Sequence, residues 1–211
     1  MQQVDYKTVT YRDIDVCYLD DLDGGGPRFG QMFVEQVIER SPRVEHLFEW
    51  CAGPGFIGFS LLACGFCERL TLADVNPDAI AAVEETLRRH DLTERVAVHL
   101  SDNLKGIPRT ERWDMVVGNP PHFPEALPRH VADGFVLRSV DPGFRLHREF
   151  YREIGSFLNP GATIMLVEST VAGDHRAVFQ EMLTENALEL VAPIWQIDTA
   201  RSYYVWSRPK R

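Results

Sequence analysis

The feature that most constrains the fold is a glycine-rich turn, Gly53-x-Gly55-x-x-Gly58, between a predicted strand and a predicted helix. Glycine has no Cβ atom, so such a turn lets backbone N–H groups approach a nucleotide-like ligand closely. Asp74 lies at the end of the next predicted strand, where a carboxylate can accept hydrogen bonds from both ribose hydroxyls. A strand, this turn, a helix and the acid together predict a nucleotide-binding α/β fold.

Short β-rich segments alternate with helical segments along the rest of the chain, which favours an α/β layer fold. Strands of the sheet are predicted at residues 46–50, 69–74, 96–100, 113–118, 163–167, 188–197 and 203–206. Helices are predicted after the glycine turn, after Asn76-Pro77, and at residues 31–40, 144–158 and 175–184. We therefore predict a Rossmann-like, seven-stranded, mostly parallel sheet with helices on both faces, a closing antiparallel strand and a short N-terminal β-hairpin.

A turn cluster rich in Asp and Gly ends at Pro27 and predicts a boundary between a hairpin extension, residues 1–27, and a main domain, residues 28–211. Asn159-Pro160-Gly161 is expected to stop the helix before it. Residues 122–142 contain three prolines and no clear period. A segment of this length inside a compact domain is usually a lid or a binding loop.

Composition excludes several classes of protein. The 211 residues carry a net charge of -9, which counts against tight non-specific binding to nucleic acid. No run reaches the roughly 18 apolar residues of a membrane span, and the first residues do not resemble a signal peptide. We expect a cytoplasmic protein without membrane contact. Cys64-x-x-Cys67 has no second pair at zinc-finger spacing, so no metal site is predicted.

Glu49 precedes the glycine turn and helps to choose between two ligands that fit a ribose-binding acid, NAD and S-adenosylmethionine. A carboxylate there attracts a cation and repels a pyrophosphate. Because S-adenosylmethionine carries an ammonium and a sulfonium whereas NAD carries two phosphates, Glu49 favours S-adenosylmethionine. Asp102, after the third core strand, is a candidate acceptor for the exocyclic amine of adenine; its alternative interpretation is a turn residue.

The fourth core strand ends in Asn119-Pro120-Pro121-His122. Two consecutive prolines fix the backbone and remove two N–H donors. The Asn119 side-chain oxygen and the Pro120 carbonyl could then accept the two N–H groups of an –NH2 and turn its lone pair toward a methyl donor above the strand ends. This is catalysis by positioning and electrostatics, without a strong base.

In this order the motifs resemble those of class I S-adenosylmethionine-dependent methyltransferases, and Asn-Pro-Pro points to the group that methylates planar nitrogens. The early hairpin, Pro27-Arg28 and the predicted helix 143–154 are similar to the protein-glutamine N5-methyltransferases. The resemblance implies cofactor contacts from Glu49, Cys51, Ala52, Gly53, Gly55, Gly58, Asp74, Val75, Asp102, Asn103 and Asn119. It implies a catalytic segment formed by Asn119, Pro120, Pro121 and His122.

The chain departs from this family after the second proline, where an aromatic residue usually stacks on the planar substrate. His122 stands there, followed by Phe123, and we expect both to contact the substrate. Arg129 and Arg138 are candidate clamps for a carboxylate or phosphate on the substrate. The alternative interpretation of the whole charged segment 129–152, which includes His147 and Asp141, is a solvated helix face.

The expected activity is methylation of an amide or amine nitrogen in a protein glutamine or a small molecule, with S-adenosylhomocysteine as product. An RNA base amino-methyltransferase that works with a partner is the alternative within this class. An NAD-dependent oxidoreductase and a non-catalytic nucleotide-binding subunit are alternatives from other classes. The sequence leaves the methyl acceptor and the oligomeric state open.

Overall fold

The computed structural model describes residues 4–20, 22, 26–125, 139–197 and 202–210. The hairpin comprises β1 (Lys7–Tyr11) and β2 (Ile14–Tyr18). The main sheet comprises β3 (Val44–Trp50), β4 (Cys67–Asp74), β5 (Val96–Leu100), β6 (Trp113–Gly118), β7 (Leu158–Ser169), β8 (Leu188–Leu190), β9 (Trp195–Ile197) and β10 (Ser202–Pro209). The α-helices of the described residues are α1 (Pro27–Arg40), α2 (Phe56–Ala63), α3 (Pro77–His90), α4 (Arg145–Ile154) and α5 (Arg176–Glu185). None of these helices is both long enough and apolar enough to cross a membrane.

The main sheet has the strand order β5-β4-β3-β6-β7-β10-β8, with β9 paired to β10. Strands β3 to β7 pair in parallel, and β10 is antiparallel to β7. The order reverses at β3, whose neighbours are β4 and β6, and in open α/β sheets ligands bind at the carboxyl ends of the strands at such a point. The predicted Rossmann-like fold is therefore confirmed, including its closing antiparallel strand and N-terminal hairpin, but the main sheet of the described residues has eight strands and not the predicted seven.

Alternate residues of the strands face two separate hydrophobic layers, because successive side chains of a strand point to opposite faces. Leu47 of β3 belongs to the layer that also contains buried residues of α1, α2 and α3. Phe48, the next residue, belongs to the layer covered by α4 and α5. In this second layer Phe48 stacks on Trp113 with ring centroids 3.9 Å apart. Both faces of the sheet are thus covered, which explains why its central strands are almost continuously apolar.

Several predicted boundaries were wrong. Helix α1 begins at Pro27, four residues before the predicted start, with Gly26 as its N-cap. Proline suits the first turn because its fixed φ is helical and its missing N–H would have no helical partner there. The predicted strand 188–197 is interrupted: β8 and β9 both pair with the same edge of β10, and their registers differ by two residues. Pro193, which has no N–H to donate, lies in the interruption.

Asn159-Pro160-Gly161 does not end the preceding helix but lies inside β7. The register between β6 and β7 shifts here, because Trp113 is opposite Leu158 whereas Met115 is opposite Thr163. The extra residues form an irregularity that Gly161 accommodates with a φ of +85°. The apolar run that was predicted as the whole strand is only its central part.

The hairpin packs on α2 and α3. The backbone N–H of Cys17 donates to the Thr86 hydroxyl at 2.9 Å, and the Tyr18 ring meets Phe56 edge-on. Tyr11 and Ile14 are buried in the same layer as α2. The division of the chain near residue 27 into two domains stays a prediction.

Candidate active site

The carboxyl ends of β3 and β6 lie side by side at the reversal point of the sheet. Trp50, the last residue of β3, pairs with Ala73 of β4 on one side and with Gly118 of β6 on the other. Cys51 and Asn119 therefore leave the sheet next to each other. A Cβ atom at Gly118 would lie 2.7 Å from the carbonyl oxygen of Trp50, so only glycine permits this approach.

The turn after β3 is tied to the end of β4 by Asp74. Oδ2 of Asp74 accepts from the N–H of Gly53 at 2.7 Å, and Oδ1 accepts from the N–H of Asn76 at 2.8 Å. Cys51, Gly53 and Gly55 all have positive φ, at 53°, 52° and 83°. Asp74 thus holds the turn beside the start of α3, as a carboxylate at the position predicted to bind ribose.

Glu49 lies under the glycine turn. It is 2% exposed, and its Oε2 accepts from the backbone N–H of Gly58, in the first turn of α2, at 2.6 Å. A Cβ atom at Gly58 would lie 2.6 Å from the same oxygen. The third glycine of the motif therefore makes room for a buried carboxylate, and that carboxylate brings negative charge to the predicted cofactor side of the sheet.

Several acidic side chains lie around Cys51. Burial raises the pKa of its thiol well above the usual value, and the charges of Asp74, Asp141, Glu168 and Glu49 raise it further. A thiol with such a pKa is neutral at pH 7 and does not act as a nucleophile. The carboxylates of four acidic residues therefore converge at this end of the sheet.

The loop after β5 does not bring Asp102 into the buried part of the site. Its carboxylate is exposed and pairs with Lys105 at 2.7 Å. The next residue, Asn103, is buried with a φ of 57°, and its Nδ2 donates to the carbonyl of Leu146 at 3.0 Å. Val75 directly follows β4 and Leu100 is the last residue of β5, and their apolar side chains are 46% and 56% exposed.

The Asn-Pro-Pro-His segment leads directly into the predicted loop. Asn119 is half-buried, whereas Pro120 and Pro121 are buried. The N–H groups of His122 and Phe123 both donate to the Ser139 carbonyl, at 3.0 and 2.9 Å. The beginning and the end of segment 122–142 are thus joined. The candidate clamps Arg129 and Arg138 lie outside the described residues.

Four side chains form a continuous hydrogen-bonded network behind this segment. Nδ1 of His122 lies 3.2 Å from Oε2 of Glu168, at the carboxyl end of β7. Oε1 of Glu168 lies 3.0 Å from Nε2 of His147 on α4. Nδ1 of His147 lies 2.7 Å from Oδ2 of Asp141. Glu168, His147 and Asp141 are at most 2% exposed, whereas the His122 side chain is 19% exposed.

The charges of this network follow from its surroundings. Burial acts to lower the pKa of His147, but the charges and hydrogen bonds of Glu168 and Asp141 outweigh it and raise the pKa to about 9. Burial acts to raise the pKa of Glu168, and His147 and His122 outweigh it, so the pKa is lowered. At pH 7 His147 is therefore an imidazolium between two carboxylates.

Sequence reasoning missed this network. His147 and Asp141 are buried, so placing them on a solvated helix face was wrong. Two signals were available: Glu168 follows a buried apolar run at a strand end, as Asp74 does, and His147 lies three residues before the buried Phe150 on α4. Neither signal shows that the two side chains meet, because 20 residues separate them in the chain.

The residues of this edge fit S-adenosylmethionine. Glu49 and Asp74 supply carboxylates for a ligand with cationic and hydroxyl groups, and a Cβ atom would fill the space beside Glu49. Oδ1 of Asn103 is buried and has no hydrogen-bond partner among the described residues. The negative charge around Cys51 disfavours a pyrophosphate and agrees with a sulfonium ligand.

Comparison with known proteins identifies the family. The profile of the methyltransferase small domain matches residues 22–142, more than half of the chain. The ribosomal protein uL3 glutamine methyltransferase of Francisella tularensis is 26% identical over 148 residues, which cover 66% of this chain and 45% of that protein. The release factor glutamine methyltransferase of Aquifex aeolicus is 31% identical over 172 residues, which cover 76% of this chain and 58% of that protein. The chain thus spans about half the length of the curated relatives it matches.

Solved structures show the same fold. Trm5b of Pyrococcus abyssi is similar with a TM-score of 0.65 and 19% identity, over 100% of this chain and 57% of that chain. TrmK of M. capricolum, whose structure holds S-adenosylhomocysteine, is similar with a TM-score of 0.61 and 8% identity, over 85% of this chain and 68% of that chain. The family match confirms the expected class of enzyme and decides against an NAD-dependent oxidoreductase. The chain belongs to the methyltransferase small domain family, within the class I S-adenosylmethionine-dependent methyltransferases.

Proposed function

We propose that this protein methylates the side-chain amide nitrogen of a glutamine in a protein substrate. The observation that carries the proposal is the pairing of Trp50 with Gly118, because it places Asn119-Pro120 beside the glycine turn. The segment proposed to bind the –NH2 group and the turn proposed to bind the methyl donor are then neighbours. The names of the relatives, which are glutamine methyltransferases for uL3 and for release factor, support glutamine as the acceptor.

Cofactor binding is assigned to the carboxyl ends of three strands. Glu49 attracts the positive charge of the donor, the glycine turn lets the donor approach the backbone closely, and Asp74 accepts from ribose. Val75 and Leu100 offer apolar contact to adenine, and Asn103 or Asp102 binds its amine. When bound, S-adenosylmethionine supplies a methyl group on a sulfonium, whose sulfur leaves as a neutral thioether.

The acceptor amide is assigned to Asn119 and Pro120. The Asn119 side-chain oxygen and the Pro120 carbonyl accept one amide N–H each. Pro120 and Pro121 have no N–H, so no competing donor occupies this part of the backbone. Two fixed acceptors orient the nitrogen and direct its electron density toward the donor, which is catalysis by positioning and electrostatics. His122 and Phe123 contact the rest of the planar group.

A small-molecule acceptor and an RNA base remain outcomes of the experimental test. RNA is less favoured because the chain carries a net charge of -9. The solved structures that resemble this chain at 19% identity or less support only the fold. Arg129 and Arg138 as substrate clamps, and a cytoplasmic location, stay predictions.

The test is transfer of a labelled methyl group from S-adenosylmethionine into a cell extract separated into protein, RNA and small molecules. We expect the label in the protein fraction, and digestion of that fraction should release it as methylated glutamine. Asn119→Ala should abolish transfer while calorimetry shows nearly unchanged binding of S-adenosylhomocysteine. Asn186→Ala, a substitution outside the proposed site, is the matched control. Label in RNA alone, or full activity of Asn119→Ala, would contradict the proposal.

A further inference from the structure

His122 takes the place of an aromatic residue, and its surroundings differ from those of a stacking ring. Its Nδ1 faces Oε2 of Glu168 at 3.2 Å, and Glu168 is 1% exposed. A hydrogen bond in the plane of the ring fixes the ring's orientation. A residue whose only role is stacking needs no such partner, and a buried carboxylate is costly to retain without a role.

The proton positions in the network follow from its other members. Both oxygens of Asp141 are occupied: Oδ1 accepts from the N–H of Leu146 at 2.8 Å, and Oδ2 from the N–H of His147 at 3.2 Å and from its ring. His147 gives its second ring proton to Oε1 of Glu168. Oε2 of the same carboxylate is then an acceptor for His122. Neutral His122 must therefore carry its proton on Nδ1, which leaves a lone pair on Nε2.

The remaining titratable neighbours of Glu168 are neutral at pH 7. Burial raises the pKa of Tyr151 and Tyr203, and the charge of Glu168 raises both further. Burial likewise raises the pKa of the Cys51 thiol. The groups that face His122 and its partner therefore comprise two carboxylates, one imidazolium and neutral hydroxyl and thiol groups. The negative charge nearest to His122 is that of Glu168.

We propose that Nε2 of His122 accepts the proton that the acceptor nitrogen releases during methyl transfer, and that Glu168, His147 and Asp141 are positioning residues for its ring. The inference rests on the proposed function and adds a proton acceptor to it. As the nitrogen lone pair forms the new N–CH3 bond, the S–CH3 bond breaks and its electron pair stays on sulfur. One of the two N–H groups then leaves its acceptor, Asn119 or Pro120. Its N–H bond breaks, the electron pair stays on nitrogen, and the proton binds to the Nε2 lone pair of His122.

The proton then leaves to solvent from His122 itself. The opposite end of the network is closed, because Asp141 is 2% exposed and engaged by backbone N–H groups. The His122 side chain, by contrast, is 19% exposed. The arrangement corresponds to that of a catalytic histidine whose ring is oriented by a carboxylate. Glu168 fixes the tautomer of His122 and does not itself take the proton.

Two substitutions separate proton acceptance from stacking. His122→Phe restores an aromatic plane but cannot accept a proton. His122→Asn keeps a donor toward Glu168, which protects the fold, and is a poor base. We expect both to lower kcat about 100-fold or more, since general base catalysis typically contributes that much. Both should also bind S-adenosylhomocysteine as the wild type does.

The free enzyme provides a readout that does not depend on activity. Nitrogen NMR of histidine-labelled protein should show His122 with its proton on Nδ1, identified by the signal missing from His122→Asn. Glu168→Gln should reduce this preference and lower kcat about 10-fold or more. His90→Asn, on α3, is the matched control: His90 accepts from the Asp15 N–H in the hairpin, so this change should alter neither kcat nor the His122 signal.

The outcomes distinguish this inference from the proposed function. If the wild type transfers methyl groups and both His122→Phe and His122→Asn are equally active, His122 is not the proton acceptor. The proposed function then still stands. A His122 proton on Nε2 in the free enzyme overturns the assigned tautomer and with it the inference. An enzyme that binds S-adenosylhomocysteine but methylates no nitrogen overturns both.

Discussion

Gly118→Ala should separate the two halves of the site, because this glycine sets the distance between them. A Cβ atom there would lie 2.7 Å from the Trp50 carbonyl oxygen and 3.2 Å from Cδ2 of Leu166. Trp50 is paired to β4 and β6 at once, so its carbonyl cannot turn aside without breaking the sheet. Restoring an ordinary contact near 3.4 Å needs a separation of about 0.7 Å between the two strands.

The cost of this separation has two parts. Overpacking of a core typically destabilises a protein by about 1–3 kcal/mol, which urea unfolding would measure. Displacement of Asn119 from the glycine turn by about 0.7 Å should lower methyl transfer by about 10- to 100-fold. Gly155→Ala is the matched control, because no atom lies within 4 Å of a Cβ there and its φ is -54°. If Gly118→Ala and Gly155→Ala give the same results in both assays, the close approach of β3 and β6 does not determine the geometry of the site.

Three further predictions concern charge and space around the site. Raising the pKa of His147 from 6.5 to about 9 stabilises the fold by about 3 kcal/mol below pH 6.5, and this contribution is lost as pH rises through 9. Urea unfolding should show this loss in the wild type and not in His147→Gln; equal pH dependence would contradict it. Asp74→Asn should weaken S-adenosylhomocysteine binding about 10-fold or more in calorimetry, whereas Asp78→Asn should not. Gly58→Ala, which drives a Cβ atom against Glu49, should lower stability by about 1–3 kcal/mol and weaken the same ligand; unchanged binding would show that Glu49 tolerates displacement.

The sequence predicts the fold well because its determinants are local. The apolar run ending at Gly118, the glycine turn and the Asn76 cap each depend on a few adjacent residues. The Asn76 side chain accepts from the Asp78 N–H at 3.0 Å, as an N-cap residue is expected to. The boundary predictions were wrong where one local sequence is compatible with two structures. Pro27 suits both a loop turn and the first turn of a helix, and Asn159-Pro160-Gly161 suits both the end of a helix and a β-bulge.

Within the site, residues at strand ends were predictable and long-range partners were not. Glu49 and Asp74 lie where the motif puts them, because parallel strands bring their carboxyl ends to one edge. The contact of Glu168 with both His122 and His147 depends on how α4 packs on the sheet, which no local pattern encodes. Only the fold shows that the histidine after Asn-Pro-Pro belongs to a buried charged network.

The decisive measurement is tandem mass spectrometry of the protein substrate after incubation with the enzyme and isotopically labelled S-adenosylmethionine. We predict one labelled methyl group on the side-chain nitrogen of a glutamine, present with the wild-type enzyme and absent with Asn119→Ala. A methyl group on oxygen, carbon or a nucleotide base, or a label that Asn119→Ala transfers equally well, would show that Asn119 and Pro120 do not position an amide nitrogen for methylation.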